Sequence, residues 1–383
     1  MLTENKVKRK NLRKLKIILS GGGTGGHIFP AIAIANAIKK IRPDTEFLFV
    51  GAEGRMEMEK VPAAGFKIVG LWISGFQRRL TLSNLMFPFK VISSLMKAKK
   101  IMNEFKPDLA IGTGGYASGP MLRVASGKEI PTLIQEQNSF PGITNRILSS
   151  KVSKICVAYP NMEKYFPKNK IVVAGNPVRN DIIDLTGKSK QAYEFFSLDS
   201  RPKTILVIGG SLGARTINES IQPILDELVK NNIQLVWQTG KTYFPNVKNI
   251  AENYSSKGIK IVEFIQKMDM AYSVADIVVS RAGAISLSEL AVAGKACILV
   301  PSPNVAEDHQ TKNAMTLVNA GAAIMVKDVE SRTKLYEAIT NLISNKLEIE
   351  KLQINIKKLA FADAADRIAS EALSLIKQPT TNN

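Results

Sequence analysis

An α/β protein built from two parallel-sheet units is what this sequence predicts, and three observations carry the prediction. Short apolar runs bounded by Gly, Pro or Asp alternate with longer stretches of helical period along the 383 residues. The pattern also restarts: LKIILSGGGTGGH near the beginning is echoed by KTILVIGGSLGAR at 203–215, each a strand, a glycine-rich turn and a helix start. The length, finally, exceeds one ordinary domain and suits two. Near-continuous apolar strands read as parallel sheets covered on both faces, and two first-strand signatures read as two Rossmann-like units.

In chain order, LKIILS, TEFLFVG, FKIVGLW, PDLAIGTGG, IPTLIQEQ, KICVAY and KIVVAGNP are the strands of the first unit. TILVIGGS, IQLVWQTG, IKIVEFI, ADIVVSRAG and ACILVPSP are those of the second. Helical period is expected over 30–41, 85–104, 217–230 and 285–293, with a last helix over 363–377. The expected organisation is a basic arm (1–16), a first unit (17–178), and a second unit (179–360). The polar stretch 180–201 lies near the junction. Cys156 and Cys297 sit inside apolar strand runs and read as buried thiols, with no disulfide or metal framework available.

The net charge is +19, and seven cations fall in the first sixteen residues against one acid, Glu4. The apolar run after that arm, Ile17 to Leu19, is far short of a signal h-region, and no stretch of about twenty apolar residues could span a bilayer. Such a charge fits nucleic acid, an anionic membrane surface or a phosphate-rich substrate, and by itself does not choose. A nucleic-acid reader would need a stacking surface or a recognised motif, and neither is present.

Gly21-Gly22-Gly23-Thr24-Gly25-Gly26 satisfies G-x-G-x-x-G. Such glycines let backbone N–H groups approach phosphate at a helix N-terminus. A dinucleotide reader would also place an acid after the second strand, where only Glu53 is available, and would not require His27. With GTGGYASGP and GGSLGA there are three glycine-rich turns, more than one mononucleotide needs, and they fit a cleft with phosphate on both walls. His27, one of only two histidines, stands where a helix begins; a neutral imidazole there is a general base. In SRAGAISLSELAVAG a strand runs into a helix carrying Glu289, placed either to cap the helix or to accept two ribose hydroxyls.

Taken together, GGGTGGHIFPAIAIA, GTGGYASGP, QEQNSFPGITNRIL, GNPVR, GGSLGAR and SRAGAISLSELAVAGKACILVPSP…HQ-x-x-NA resemble the MurG family of peptidoglycan glycosyltransferases in order and spacing. The resemblance implies a GT-B fold, two Rossmann-like domains with parallel sheets facing across a cleft, and a C-terminal helix (about 361–378) returning to the first. It implies transfer of GlcNAc from UDP-GlcNAc to the 4-hydroxyl of undecaprenyl-diphosphate-MurNAc-pentapeptide (lipid I), giving lipid II with inversion. Thr24, Gly25, Gly26, Asn138, Arg179, Ser211, Ile265, the run Ala284, Ile285, Ser286, Leu287, Ser288 and Glu289, and Gln310 are the implied donor set. Gly114, Gly115 and Tyr116 are assigned to the acceptor. His27 is the expected base and Glu136 its substitute. The chain departs from the family at His309, where a second glutamine is usual.

No cofactor or protein-bound metal is expected, because N–H groups and Arg179 meet the charge on UDP. A polyprenyl acceptor requires peripheral contact with the anionic cytoplasmic face of the inner membrane, alongside other cell-wall synthesis proteins. The stretch 72–102 suits that contact. It mixes Trp72, Phe76, Leu82, Leu85, Met86, Phe87 and Phe89 with Arg78, Arg79, Lys90, Lys97, Lys99 and Lys100.

Overall fold

A computed structural model describes residues 14–75, 86–210, 212–305 and 308–376. Most of the basic arm, the stretch 76–85 with Phe76, Arg78, Arg79, Leu82 and Leu85, and the donor candidate Ser211 lie outside the described residues.

The first sheet holds β1 (Lys16–Gly21), β2 (Glu46–Ala52), β3 (Lys67–Leu71), β4 (Leu109–Gly114), β5 (Thr132–Glu136), β6 (Lys154–Val157) and β7 (Ile171–Val173). Their order is β3-β2-β1-β4-β5-β6-β7. The second holds β8 (Lys203–Ile208), β9 (Ile233–Gln238), β10 (Ile259–Val262), β11 (Ile277–Ser280), β12 (Ala296–Leu299) and β13 (Ile324–Met325), ordered β10-β9-β8-β11-β12-β13. Every pairing is parallel; Leu19 lies opposite both Phe49 and Ile111, and Val207 opposite both Trp237 and Val279. All twelve expected strands form. The two-residue β13 is too short to have left a pattern.

Side chains alternate across each strand, so both faces of both sheets are apolar. Ile17 and Leu19 pack on one side of the first sheet and Ile18 on the other; Ile205 and Val207 oppose Leu206 and Ile208 in the second. Cys156 and Cys297 are buried free thiols, and burial pushes each up to about 12.

Helix α1 (Gly25–Ile41) starts five residues before the expected position, taking Gly25, Gly26 and His27 into its first turn and Pro30 inside it. Its buried Ile28, Ala31, Ile34, Ala35 and Ile38 keep helical spacing, and Lys39 and Lys40 complement the dipole of its last turn. The helix expected over 217–230 is interrupted by a 3₁₀ turn at Gln222–Ile224, where Pro223 cannot donate. The C-terminal helix Ala364–Ser374 returns to α1 through Ile368, Ala369 and Ala372, with an ion pair between Lys154 and Glu371.

The chain crosses between the units near Gly175, which has φ +81; a Cβ there would lie 2.2 Å from Phe361 Cβ on the returning segment. Strand order reverses direction between β1 and β4 and between β8 and β11, and ligands bind outside the carboxyl ends of strands at such switch points. One cleft of about 1820 Å³ is lined from both.

Candidate active site

The N-terminal wall begins at the end of β1. Gly23 takes a positive φ (+85), Thr24 is extended, and α1 opens at Gly25 towards the cleft. Underneath lies Glu57, the first residue of α2 (Glu57–Ala63) and fully buried. It accepts Gly23 N–H (3.0 Å) and Ala52 N–H (2.9 Å). The loop after β4 comes up against this turn: Gly115, at φ +82, would place a Cβ only 2.3 Å from the Gly22 carbonyl oxygen. Only glycine permits that approach.

His27 sits between the two loops. Its Nδ1 lies 2.8 Å from Thr113 O and 3.1 Å from Gln137 Oε1, while Thr113 Oγ1 donates to His27 O at 2.8 Å. A carbonyl only accepts, so Nδ1 carries a hydrogen, and in the neutral form of the ring the lone pair lies on Nε2. Glu136, 1% exposed at the end of β5, holds the following loop. One carboxylate oxygen accepts Asn138 N–H (2.9 Å) and Asn138 Nδ2 (3.2 Å), and the other accepts Gly142 N–H (3.1 Å) and Asn145 Nδ2 (2.8 Å).

The C-terminal wall is built on the helix Ala284–Ala293, which opens at Gly283 just beyond β11. Glu289 on that helix is buried; Arg179 Nε donates to Oε1 at 3.1 Å and Tyr272 Oη to Oε2 at 3.4 Å. Burial raises the Glu289 carboxyl above its ordinary range against the opposing pull of Arg179. Burial, then the charge of Glu289, holds the Tyr272 hydroxyl protonated as a donor. Gln310 heads the helix His309–Asn319 and accepts Ser302 N–H at 2.9 Å.

Neutral groups join the walls. Asn313 Oδ1 accepts both Ser139 N–H and Ser139 Oγ at 3.0 Å, and its amide donates to Asn138 Oδ1 at 3.2 Å. Asn176 donates to Ser288 Oγ at 3.0 Å.

Against known proteins, the profile described as "Glycosyltransferase family 28 N-terminal domain" matches residues 17–157, and "Glycosyltransferase family 28 C-terminal domain" matches 204–368. The chain is 56% identical over 361 residues to a Cytophaga hutchinsonii protein named UDP-N-acetylglucosamine--N-acetylmuramyl-(pentapeptide) pyrophosphoryl-undecaprenol N-acetylglucosamine transferase; the match covers 94% of this chain and 97% of that one. The chain belongs to glycosyltransferase family 28, in the MurG family. A Parabacteroides distasonis protein of the same name is 53% identical, with 95% of this chain and 99% of that one covered. The crystal structure of Acinetobacter baumannii MurG superposes with a TM-score of 0.75 at 28% identity, over 94% of this chain and 99% of that one. The fold is the GT-B arrangement of that family.

Within this family 28 cleft, Thr24, Gly25, Gly26, His27, Gly114, Gly115, Tyr116, Glu136 and Asn138 line the first wall. Arg179, Ile265, Ala284, Ile285, Ser286, Glu289 and Gln310 line the second. Two expected donor residues do not face the cleft. Leu287 is 1% exposed in the core under its helix, and Ser288 turns to Asn176 and to Ala284 O, as the helical repeat requires once Glu289 faces inward. Ile265 lines the cleft, but its N–H already donates to Gln238 Oε1 at 2.8 Å. The arrangement corrects the expectation for Glu136 too. A carboxylate offers about four acceptor sites, and four donors fill them, so Glu136 positions a loop and has no lone pair free to take a proton. Glu57, Gln135, Gln137, Asn145, Asn176 and Asn313 were missed. Five of the six lay inside quoted motifs, whereas Glu57 lay outside all of them.

Proposed function

We propose that this cleft transfers GlcNAc from UDP-GlcNAc, held mainly on the C-terminal wall, to the 4-hydroxyl of the MurNAc of a polyprenyl-diphosphate acceptor on the N-terminal wall, forming lipid II. The observation that carries the chemistry is His27, held at Nδ1 by Thr113 O and lining the space between the walls. The cleft, at about 1820 Å³, exceeds a usual small-ligand pocket of about 300–1,000 Å³ and has room for two substrates.

The step is a single in-line displacement. His27 Nε2 takes the proton of the acceptor hydroxyl as its oxygen bonds to the donor C1. The C1–O bond to the diphosphate breaks on the opposite face, inverting the centre, and its electron pair leaves on UDP. Glu289 accepts the ribose hydroxyls, Gln310 and Asn138 hold the sugar, and Ala284 to Ser286 with Ile265 border the nucleoside. Arg179 and the N–H groups of Thr24, Gly25 and Gly26 meet the departing charge, so no metal is invoked. Gly114, Gly115 and Tyr116 face the acceptor.

The acceptor's tail brings the enzyme to an anionic leaflet as a peripheral protein. Among the described residues no helix is long and apolar enough to cross a membrane. Trp72 (43% exposed), Met86, Phe89 (63%), Ile92 and Met96 (69%) instead form an apolar surface beside Lys90, Lys97, Lys99 and Lys100 on and near the helix Phe87–Phe105. Exposed aromatic and aliphatic groups among cations suit that interface. Transfer of labelled GlcNAc to a short-chain lipid I analogue tests the reaction. Donor hydrolysis without transfer, or transfer to an unrelated acceptor alone, would overturn it.

A further inference from the structure

Behind His27 runs a buried row of side-chain amides that reaches the other half of the molecule. Gln137 Oε1 lies 3.1 Å from His27 Nδ1, and Gln137 Nε2 faces Gln135 Oε1. Gln135 Nε2 donates to Asn176 Oδ1 at 2.9 Å, and Asn176 Nδ2 donates to Ser288 Oγ at 3.0 Å. The Ser288 hydroxyl ends the row on Ala284 O at 3.0 Å, in the first turn of the C-terminal wall's helix. Gln135 is 0%, Gln137 2% and Asn176 2% exposed.

The direction of the row is not arbitrary. Asn176 Nδ2 also reaches Gln137 O (3.0 Å), and Gln137 Nε2 also reaches Thr113 O (2.7 Å) and Gln135 O (3.2 Å). These are backbone carbonyls and can only accept, which fixes both amides. Gln135, between them, must donate to Asn176 and accept from Gln137. Every hydrogen then points away from His27, and a hydrogen on Nδ1 is the only one consistent with the row. No amide can flip singly without setting two acceptors or two donors against each other in a buried space.

We propose that Gln137, Gln135 and Asn176 are positioning residues that hold the His27 ring, with Nε2 open, in register with the donor-side helix through Ser288. The proposal rests on His27 being the base for its kinetic consequence, though not for its geometry. Ordering of the donor-side helix and orientation of the base are then linked, because the row of bonds from Gln137 to Ser288 is complete only with both ends in place.

The chain has two histidines, so ¹⁵N-histidine labelling gives two sets of ring signals, and His309→Asn assigns them. In the wild type, His27 is expected to show a protonated Nδ1 in slow exchange with water and an unprotonated Nε2. Gln135→Met cuts the row at its centre without touching the cleft, and Ser288→Ala removes only its last oxygen. In both, Nδ1–H exchange should quicken at least about tenfold and kcat fall about tenfold, as for a catalytic group loosened by less than an ångström. UDP affinity should stay within about twofold, and far-UV circular dichroism should be unchanged. A hydrogen on Nε2 in the wild type, or wild-type exchange and kcat in a folded Ser288→Ala, would overturn the proposal. If His27→Ala keeps its turnover, the base assignment fails while the exchange measurement still decides the row.

Discussion

Replacing Glu136 separates two roles that a buried acid beside an active site could play. Glu136→Ala removes an acceptor that meets four donors. Asn138 and Gly142 lie where water can reach, but the Asn145 amide is 2% exposed and would lose its partner in the interior. A buried donor left unsatisfied costs about 1–3 kcal/mol, and lost bonds to a charged acceptor add about 1.5–3 kcal/mol each before rehydration. A net loss of about 3 kcal/mol is expected, lowering the melting temperature by roughly 6–12 °C. Glu136→Gln keeps one oxygen but turns an –NH₂ towards donors, and should cost roughly half as much. Turnover should fall about 10–100-fold through displacement of Asn138, more for Ala than for Gln, with the shape of the pH profile intact. Calorimetry and initial rates across pH measure both. If both variants melt like the wild type, yet lose turnover equally and by about 10²–10⁴-fold with the acid limb of the profile abolished, Glu136 is a base and the loop argument is wrong.

His27→Ala should lower kcat by about 10²–10⁴-fold with UDP affinity unchanged within about twofold, by steady-state rates and titration calorimetry. Because burial raises the Glu289 carboxyl, its ionised form is lost on acidification at a higher pH than for an ordinary glutamate. UDP affinity should therefore weaken as pH falls through that raised value, and Glu289→Gln should weaken it about tenfold and flatten the dependence. The stability sign is opposite: a raised carboxyl favours the fold below the ordinary glutamate range, and that contribution disappears as pH rises through the raised value. Melting curves of Glu289→Gln against wild type across pH would show it. Phe89→Ser with Met96→Ser should cut partition onto anionic vesicles about thirtyfold, the effect of withdrawing about 2 kcal/mol of apolar burial, with turnover on a water-soluble acceptor analogue retained.

What could be read from the chain was whatever is written locally. Twelve strands announced themselves because parallel strands buried on both faces are apolar throughout, as in KIILS and TILVI, and glycine turns marked where strands end. The start of α1 is not legible in the glycine run, which has no apolar period to mark a helix, whereas the structure turns into the helix right after Thr24. The run Ala284 to Glu289 reads as one unit in the sequence, but a helix of 3.6 residues per turn cannot face every member of a run to one cleft, and Leu287 and Ser288 turn away. The roles of Glu57 and Glu136 were hidden for another reason. Each carboxylate is defined by backbone N–H groups, Gly23 and Ala52 for the one, Asn138 and Gly142 for the other, and backbone donors carry no letter in the sequence. The amide row is less legible still, since Gln135, Asn176 and Ser288 come together only when both sheets are in place.

The kind of bond that joins the walls also bears on how the cleft works. Among the described residues, ion pairs stay within one unit: Arg179 with Glu289, Lys188 with Asp269, and Arg281 with Asp328 all lie in the second, and Lys154 with Glu371 ties the C-terminal helix to the first. Asn176 with Ser288, and Asn313 with Ser139 and Asn138, cross between them as neutral hydrogen bonds, and Lys312 lies over the Phe140 ring at 3.4 Å. Four neutral bonds contribute about 1 kcal/mol each, or about 4 kcal/mol in all. A substrate remakes such a seam only by as much as it binds one arrangement of the walls better than the other. Breaking a partly buried ion pair in the same place would leave an unpaired charge, at a cost of several kcal/mol. The charge–charge pairs thus lie within each wall, while hydrogen bonds between neutral groups and one lysine over an aromatic ring join the two.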